Sequence, residues 1–361
     1  MANVKSKRNG YIDIIKFLFA IIIADFHLNS GLFLGGRLAV EGFFMITGFL
    51  MMKSVASSSD TENLGKATVR FMFRKYKALL PVLFVSAILG FIVYSIVLDF
   101  TLLDSIKMLP LLIFDIFPLN TAGFKGFYVV GISWYLSSMF IALAILYPLA
   151  KRFKSNFSLI ACPLISFLCY GLLCAKYGHI AVGTTYIPNT VIQTGIIRAL
   201  AGCSLGCLIY EINKRIATKE YTKFAKIVFT VCEPLLLLFI FCMMHFFAKT
   251  GRDYVTVFAI FAMLIIGISG LSYTSKLWNP KWTKHFGTAS TLIVLNHYCW
   301  IRLLETKFTQ LEKGEFILLF IAFTAIACVF VHFASKLLCI LTGKLLKKER
   351  WIKSEPQGEQ N

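Results

Sequence analysis

The feature that most constrains this chain is the length of its apolar runs. A helix needs about 20 residues to cross the roughly 30 Å hydrocarbon core of a bilayer. Windows of that order recur at residues 11–28, 38–55, 77–98, 132–150, 158–176, 190–211, 225–247, 253–273, 286–304 and 315–341. Hydrophobic residues make up 58% of the 361 and charged residues only 15%, against roughly 45–50% and 25% in an average soluble domain. An ordinary two-layer soluble fold does not fit this pattern. The expected class is an all-α, polytopic integral membrane protein with about ten transmembrane helices. Residues 102–117, "LLDSIKMLPLLIFDIF", are apolar too, but Pro110 and the acidic residues nearby point to a re-entrant or interfacial piece.

Charge sets the orientation, because cytoplasmic loops are enriched in Lys and Arg. With the N-terminus inside, the cytoplasmic segments hold about 24 basic residues and the outer loops about eight. Both termini are then cytoplasmic. The same asymmetry accounts for the net charge of +19 through contact with anionic lipid headgroups, without nucleic acid. The start has a basic region but no small-residue cleavage site after its apolar stretch, as in a retained first helix. Residues 1–345 read as one transmembrane domain, and 346–361 as a polar cytoplasmic tail expected to be disordered. The ten cysteines lie in or beside apolar runs, and none shows a metal-ligand spacing. They read as small packing residues.

Within the first span, "KFLFAIIIADFH" keeps Lys16, Asp25 and His27. Each ionisable group at a bilayer centre costs about 2.5 kcal/mol or more unless it faces protein or water. Lys16 and His27 are eleven residues apart, which is three helical turns plus about 20°, so they share one face about 16 Å apart along the axis. Asp25 points about 200° away from His27 and stays without a role. Asp13, one turn before Lys16, is placed to pair with it. Glu41, early in the second helix and joined to the first by a short outer loop, can come near His27 and orient it as a general base.

These residues carry a family resemblance. "YIDIIKFLFAIIIADFH" followed by "VEGFFMITGFLM" resembles the opening of the membrane acyltransferase family 3, bacterial O-acetyltransferases of surface polysaccharides and related glycans. Lys16 stands where Arg is commoner in that family, and Thr47 where Ser is usual. "FMFRKYKALLPVLFV" is similar to the family's basic start of the third helix. Aligned on Pro81, the two expected cations fall at Lys75 and Ala78, whereas Arg74 and Lys77 keep the same spacing one residue earlier. Trp134, Leu136 and Pro148 resemble a Trp-x-Leu segment ending in proline, with Met139 where many members carry glutamate. Gly287, Ser290, Leu295 and His297 match a later segment.

The resemblance implies acyl transfer from a thioester, acetyl-CoA or another acyl-CoA as co-substrate with no bound cofactor, to a hydroxyl of a glycan or lipid-linked sugar at the bacterial cytoplasmic membrane. Such a reaction needs a base and a donor to the developing oxyanion. His27 is the expected base or acyl relay, with Glu41 as orienter. Lys16, Arg74, Lys75 and Lys77 are the expected cations for the CoA phosphates. Trp134, Ser290 and His297 are further candidates, although a histidine in an apolar helix is more often structural. The outer loop 99–131 is a place for acceptor recognition. The competing class is a polytopic transporter or lipid flippase, which would predict Gly/Pro-broken helices in corresponding positions of two halves.

Overall fold

The computed structural model describes residues 8–58, 63–124, 129–131, 133–278 and 280–354. It is 81% helical, and no strand occurs among the described residues. The helices are α1 (Gly10–Leu28), α2 (Ala39–Ala56), α3 (Leu64–Val97), α4 (Leu102–Met108), α5 (Ile113–Ile116), α6 (Ser133–Asn156), α7 (Cys162–Tyr177), α8 (Thr194–Ile216), α9 (Lys223–Phe246), α10 (Asp253–Ser269), α11 (Pro280–Lys307) and α12 (Lys313–Ser354). The long ones follow the expected apolar windows in order. α4 and α5 fall in the segment expected not to span, and α4 is seven residues, about 10 Å of helix.

Among the described residues, six helical segments are long and apolar enough to cross a membrane: 36–56, 64–97, 133–177, 194–216, 223–246 and 313–343. The third combines two helices. At 45 residues it is about 68 Å of helix, more than twice the hydrocarbon core, and it breaks at Lys154, whose φ of 50° is left-handed. A π-helical turn at Phe157–Ala161 follows. α1, α10 and α11 lie outside the six segments. α12 continues to Ser354 and so takes in the first part of the stretch expected as a disordered tail, while 355–361 lie outside the described residues.

Burial separates an inner from an outer set. The apolar window of α2 is 78% buried and that of α8 72%, whereas α9 and α12 bury only 22%. Inner helices pair closely because small residues permit it. A side chain at Gly48 would run into the backbone carbonyl of Cys203, and one at Gly206 into that of Met45. α1 packs chiefly on α11, and α2 chiefly on α8. Both pairs are parallel. Arg8 reaches Lys284 and His27 reaches His297, while Glu41 meets Arg198 and Gly48 meets Cys203.

Asp25 acquires a structural role here. Its carboxylate accepts from the Ser30 hydroxyl at 2.5 Å and from the Phe33 backbone N–H at 3.1 Å. Together with Asn29 in the left-handed region at φ 53°, it folds the chain back after α1. That turn brings the start of α2 beside the end of α1.

Candidate functional site

α1 ends in its last turn with His27, and α11 carries His297 in the middle of its length. The Nδ1 of His27 lies 2.8 Å from the Nε2 of His297. Their planes are 5° apart and their centroids 5.1 Å apart, which is the N···N distance plus a ring radius at each end. The rings therefore lie edge to edge. The other nitrogen of His297, Nδ1, contacts the carbonyls of Ile293 at 2.9 Å and Val294 at 3.1 Å. A carbonyl only accepts, so His297 Nδ1 carries the proton and Nε2 is an acceptor. His27 must then donate from Nδ1, and its Nε2 is left with a free lone pair. This is the tautomer a base or nucleophile needs at that atom.

Glu41 is not the partner of His27. It is fully buried, and its oxygens accept from Arg198 Nε at 2.7 Å and the Tyr170 hydroxyl at 2.6 Å. Arg198, 1% exposed, also donates to the carbonyls of Val182 at 2.8 Å and Arg37 at 3.2 Å. The Trp134 ring covers its guanidinium, with 5.2 Å from the centroid to Cζ. Glu41 thus ties α2, α7 and α8 to the two loops beside His27. Arg198 was not anticipated from the sequence, although an arginine inside "TGIIRALAGCSLGC" is the kind of intramembrane charge that marks a site.

Two cavities lie along the face that carries Lys16 and His27. The first, of about 460 Å³, is lined by Arg8, Lys16, Lys75, Thr47 and Met139 among others. The second, of about 260 Å³, is lined by His27, Arg37, Trp134, Arg198 and Tyr298 among others. Phe43, Tyr135 and Val294 line both and form the wall between them. The Phe43 and Tyr135 rings meet edge on, 6.1 Å between centroids.

The expected cations divide. Lys16 and Lys75 line the first cavity, and neither has a hydrogen-bond or ion-pair partner among the described residues. Asp13 does not pair with Lys16 but holds Arg8 in a two-pronged contact of 2.6 and 2.9 Å. Arg74 and Lys77 are exposed and line neither cavity. The register that sets Lys75 and Ala78 at the two expected cation positions is therefore the one that faces the cavity, since Ala78 lines it as well, although only Lys75 is charged. Ser290 is buried, lines neither cavity, and its hydroxyl has no partner among the described residues. Trp134 lines the second cavity. Of the loop expected to meet the acceptor, residues 125–128 lie outside the described residues.

A family model described as an acyltransferase domain matches residues 9–332. That span takes in α1 to α11 and about half of α12, with every cavity-lining residue named above except Arg8. No curated protein and no solved structure matches the chain. The transporter or flippase reading receives no support from these comparisons.

Proposed function

The chain belongs to that acyltransferase family as a multi-pass membrane protein, and we propose that it is an O-acyltransferase. In this reading it moves an acyl group, acetyl in the simplest case, from acyl-CoA to a hydroxyl of a surface or lipid-linked glycan. The observation that carries the reading is the His27–His297 pair, which leaves a lone pair on Nε2 of a histidine that lines the second cavity. The acceptor hydroxyl loses its proton to that nitrogen while its oxygen attacks the thioester carbonyl. The C–O bond forms, the C–S bond breaks, and the sulfur takes the proton to leave as free thiol. As His27 becomes an imidazolium, its Nδ1–H bond to His297 strengthens. The acyl-relay variant uses the same lone pair to attack the thioester first.

Lys16 and Lys75, without a partner among the described residues, supply two cations for the phosphates of the donor at the first cavity. The acyl end then has to pass the wall of Phe43, Tyr135 and Val294 to reach His27. Each of the ten long helices crosses the bilayer once, with both termini cytoplasmic in a bacterial cytoplasmic membrane. Strict alternation makes the first and ninth long helices parallel, and likewise the second and sixth. The α1–α11 and α2–α8 pairs have that sense, and the bias of basic residues supports it.

The test is thiol release from acetyl-CoA by the purified full-length protein. His27→Ala should abolish turnover, and persistent turnover would overturn the assignment. Mass spectrometry of surface glycans from cells with and without the gene identifies the acceptor as the species that loses an O-acyl group.

A further inference from the structure

Arg37 lies between the turn after α1 and the start of α2, on the wall of the cavity that holds His27. A guanidinium carries five N–H donors in a planar fork. This one is half-buried, stands over the Phe26 ring at 5.4 Å, and its buried Nε has no hydrogen-bond partner among the described residues. The carboxylates nearby make no hydrogen bond to Arg37 among the described residues. Glu41 serves Arg198 and Tyr170, and Asp253, whose charge reaches Arg37, accepts through Oδ2 from the backbone N–H groups of Ile180 and Ala181. The contrast between the two arginines of the cavity is informative. Each of the three Arg198 nitrogens donates to a group within the protein, whereas Arg37 stacks on Phe26 and its buried Nε has no acceptor among the described residues. A buried donor left unmade is costly, and a carboxylate or phosphate is the group whose geometry the fork matches.

We propose that Arg37 makes the second cavity an oxyanion subsite, so that the hydroxyl acylated at His27 belongs to an acceptor bearing a carboxylate or phosphate close to that hydroxyl. This rests on the acyl-transfer reading above and gives it a substrate class. The volume of about 260 Å³ is below the roughly 300 Å³ at which drug-sized ligand pockets begin. It suits the reacting end of a larger acceptor, one ring with its anionic substituent. Trp134 and Tyr298 border the same space and offer apolar faces for such a ring. Arg37 acts on the acceptor as a specificity-determining residue, and no proton moves through it.

The experiment is equilibrium binding to the purified full-length protein without acyl donor, using methyl glucuronide, its neutral methyl ester, and a sugar 1-phosphate with its parent sugar. The wild-type protein should bind at least one anionic member about tenfold or more tighter than its neutral counterpart. A preference for the uronide alone assigns a carboxylate, and for the sugar phosphate alone a phosphate. Arg37→Gln should remove the preference by weakening the anionic ligand only, and Arg37→Lys should restore part of it. Equal binding of charged and neutral members by the wild-type protein, or a preference that survives in Arg37→Gln, overturns the subsite. Because no donor is present, failure of acyl transfer leaves this binding result standing, and equal binding leaves the transfer reaction intact.

Discussion

His27 donates from Nδ1 to Nε2 of His297 across 2.8 Å, joining residues 270 positions apart in the chain. The bond holds the His27 ring in one tautomer and one orientation. His297 is a positioning residue, since it touches His27 and lines neither cavity.

Replacing His297 should therefore lower kcat far more than it changes the KM for acyl-CoA. The expected loss for His297→Ala is about 10²-fold or more, within the range of general base catalysis, with the protein still folded by thermal melt. His297→Gln, which keeps an acceptor, should recover part of it. A change confined to KM would assign His297 to binding instead.

Lys16→Gln and Lys75→Gln should each raise the KM for acetyl-CoA about tenfold, the usual size of a lost charge-assisted contact. Arg74→Gln and Lys77→Gln should have smaller effects, because both residues are exposed and neither lines the first cavity. Steady-state kinetics on the four variants checks this ordering. The reverse ordering would show that the donor's phosphates sit outside the cavity.

Glu41→Ala should destabilise the protein by about 3–5 kcal/mol, since it leaves the Arg198 charge buried without its partner. Glu41→Gln keeps the hydrogen-bonding shape and should lose less. Denaturation in detergent micelles measures both. If Glu41→Ala melts like the wild type, the salt bridge does not hold α2 against α8.

Phe43→Ala should thin the wall between the cavities and admit bulkier acyl groups. One methylene in an apolar pocket is worth about 10-fold or more in discrimination. The ratio of kcat/KM for butyryl-CoA to that for acetyl-CoA should therefore rise by at least about that factor. An unchanged ratio would place the selection for acyl length elsewhere.

The helices were legible because apolar length and helical period are local properties. The shared face of Lys16 and His27 followed from their spacing alone, and the two cavities lie along it. The partners were not legible, because they come from distant helices. Glu41 looked like the orienter of His27 from its nearness along the chain, yet it is spent on Arg198, 157 residues away. His297 looked structural because nothing in its own helix shows that α11 lies against α1. At the third helix, a shift of one residue rotates a side chain by about 100°. This separates Lys75, which faces the cavity, from Arg74 and Lys77, which do not.

The wall of Phe43, Tyr135 and Val294 also has an electrical consequence. Without it the two cavities would merge into one passage from Arg8 to Arg37, lined by cations at both ends. Across an energised membrane each elementary charge that leaks dissipates about 2.3 kcal/mol per 100 mV. In the proposed reaction, three side chains would let an acyl group pass while keeping the barrier an insulator.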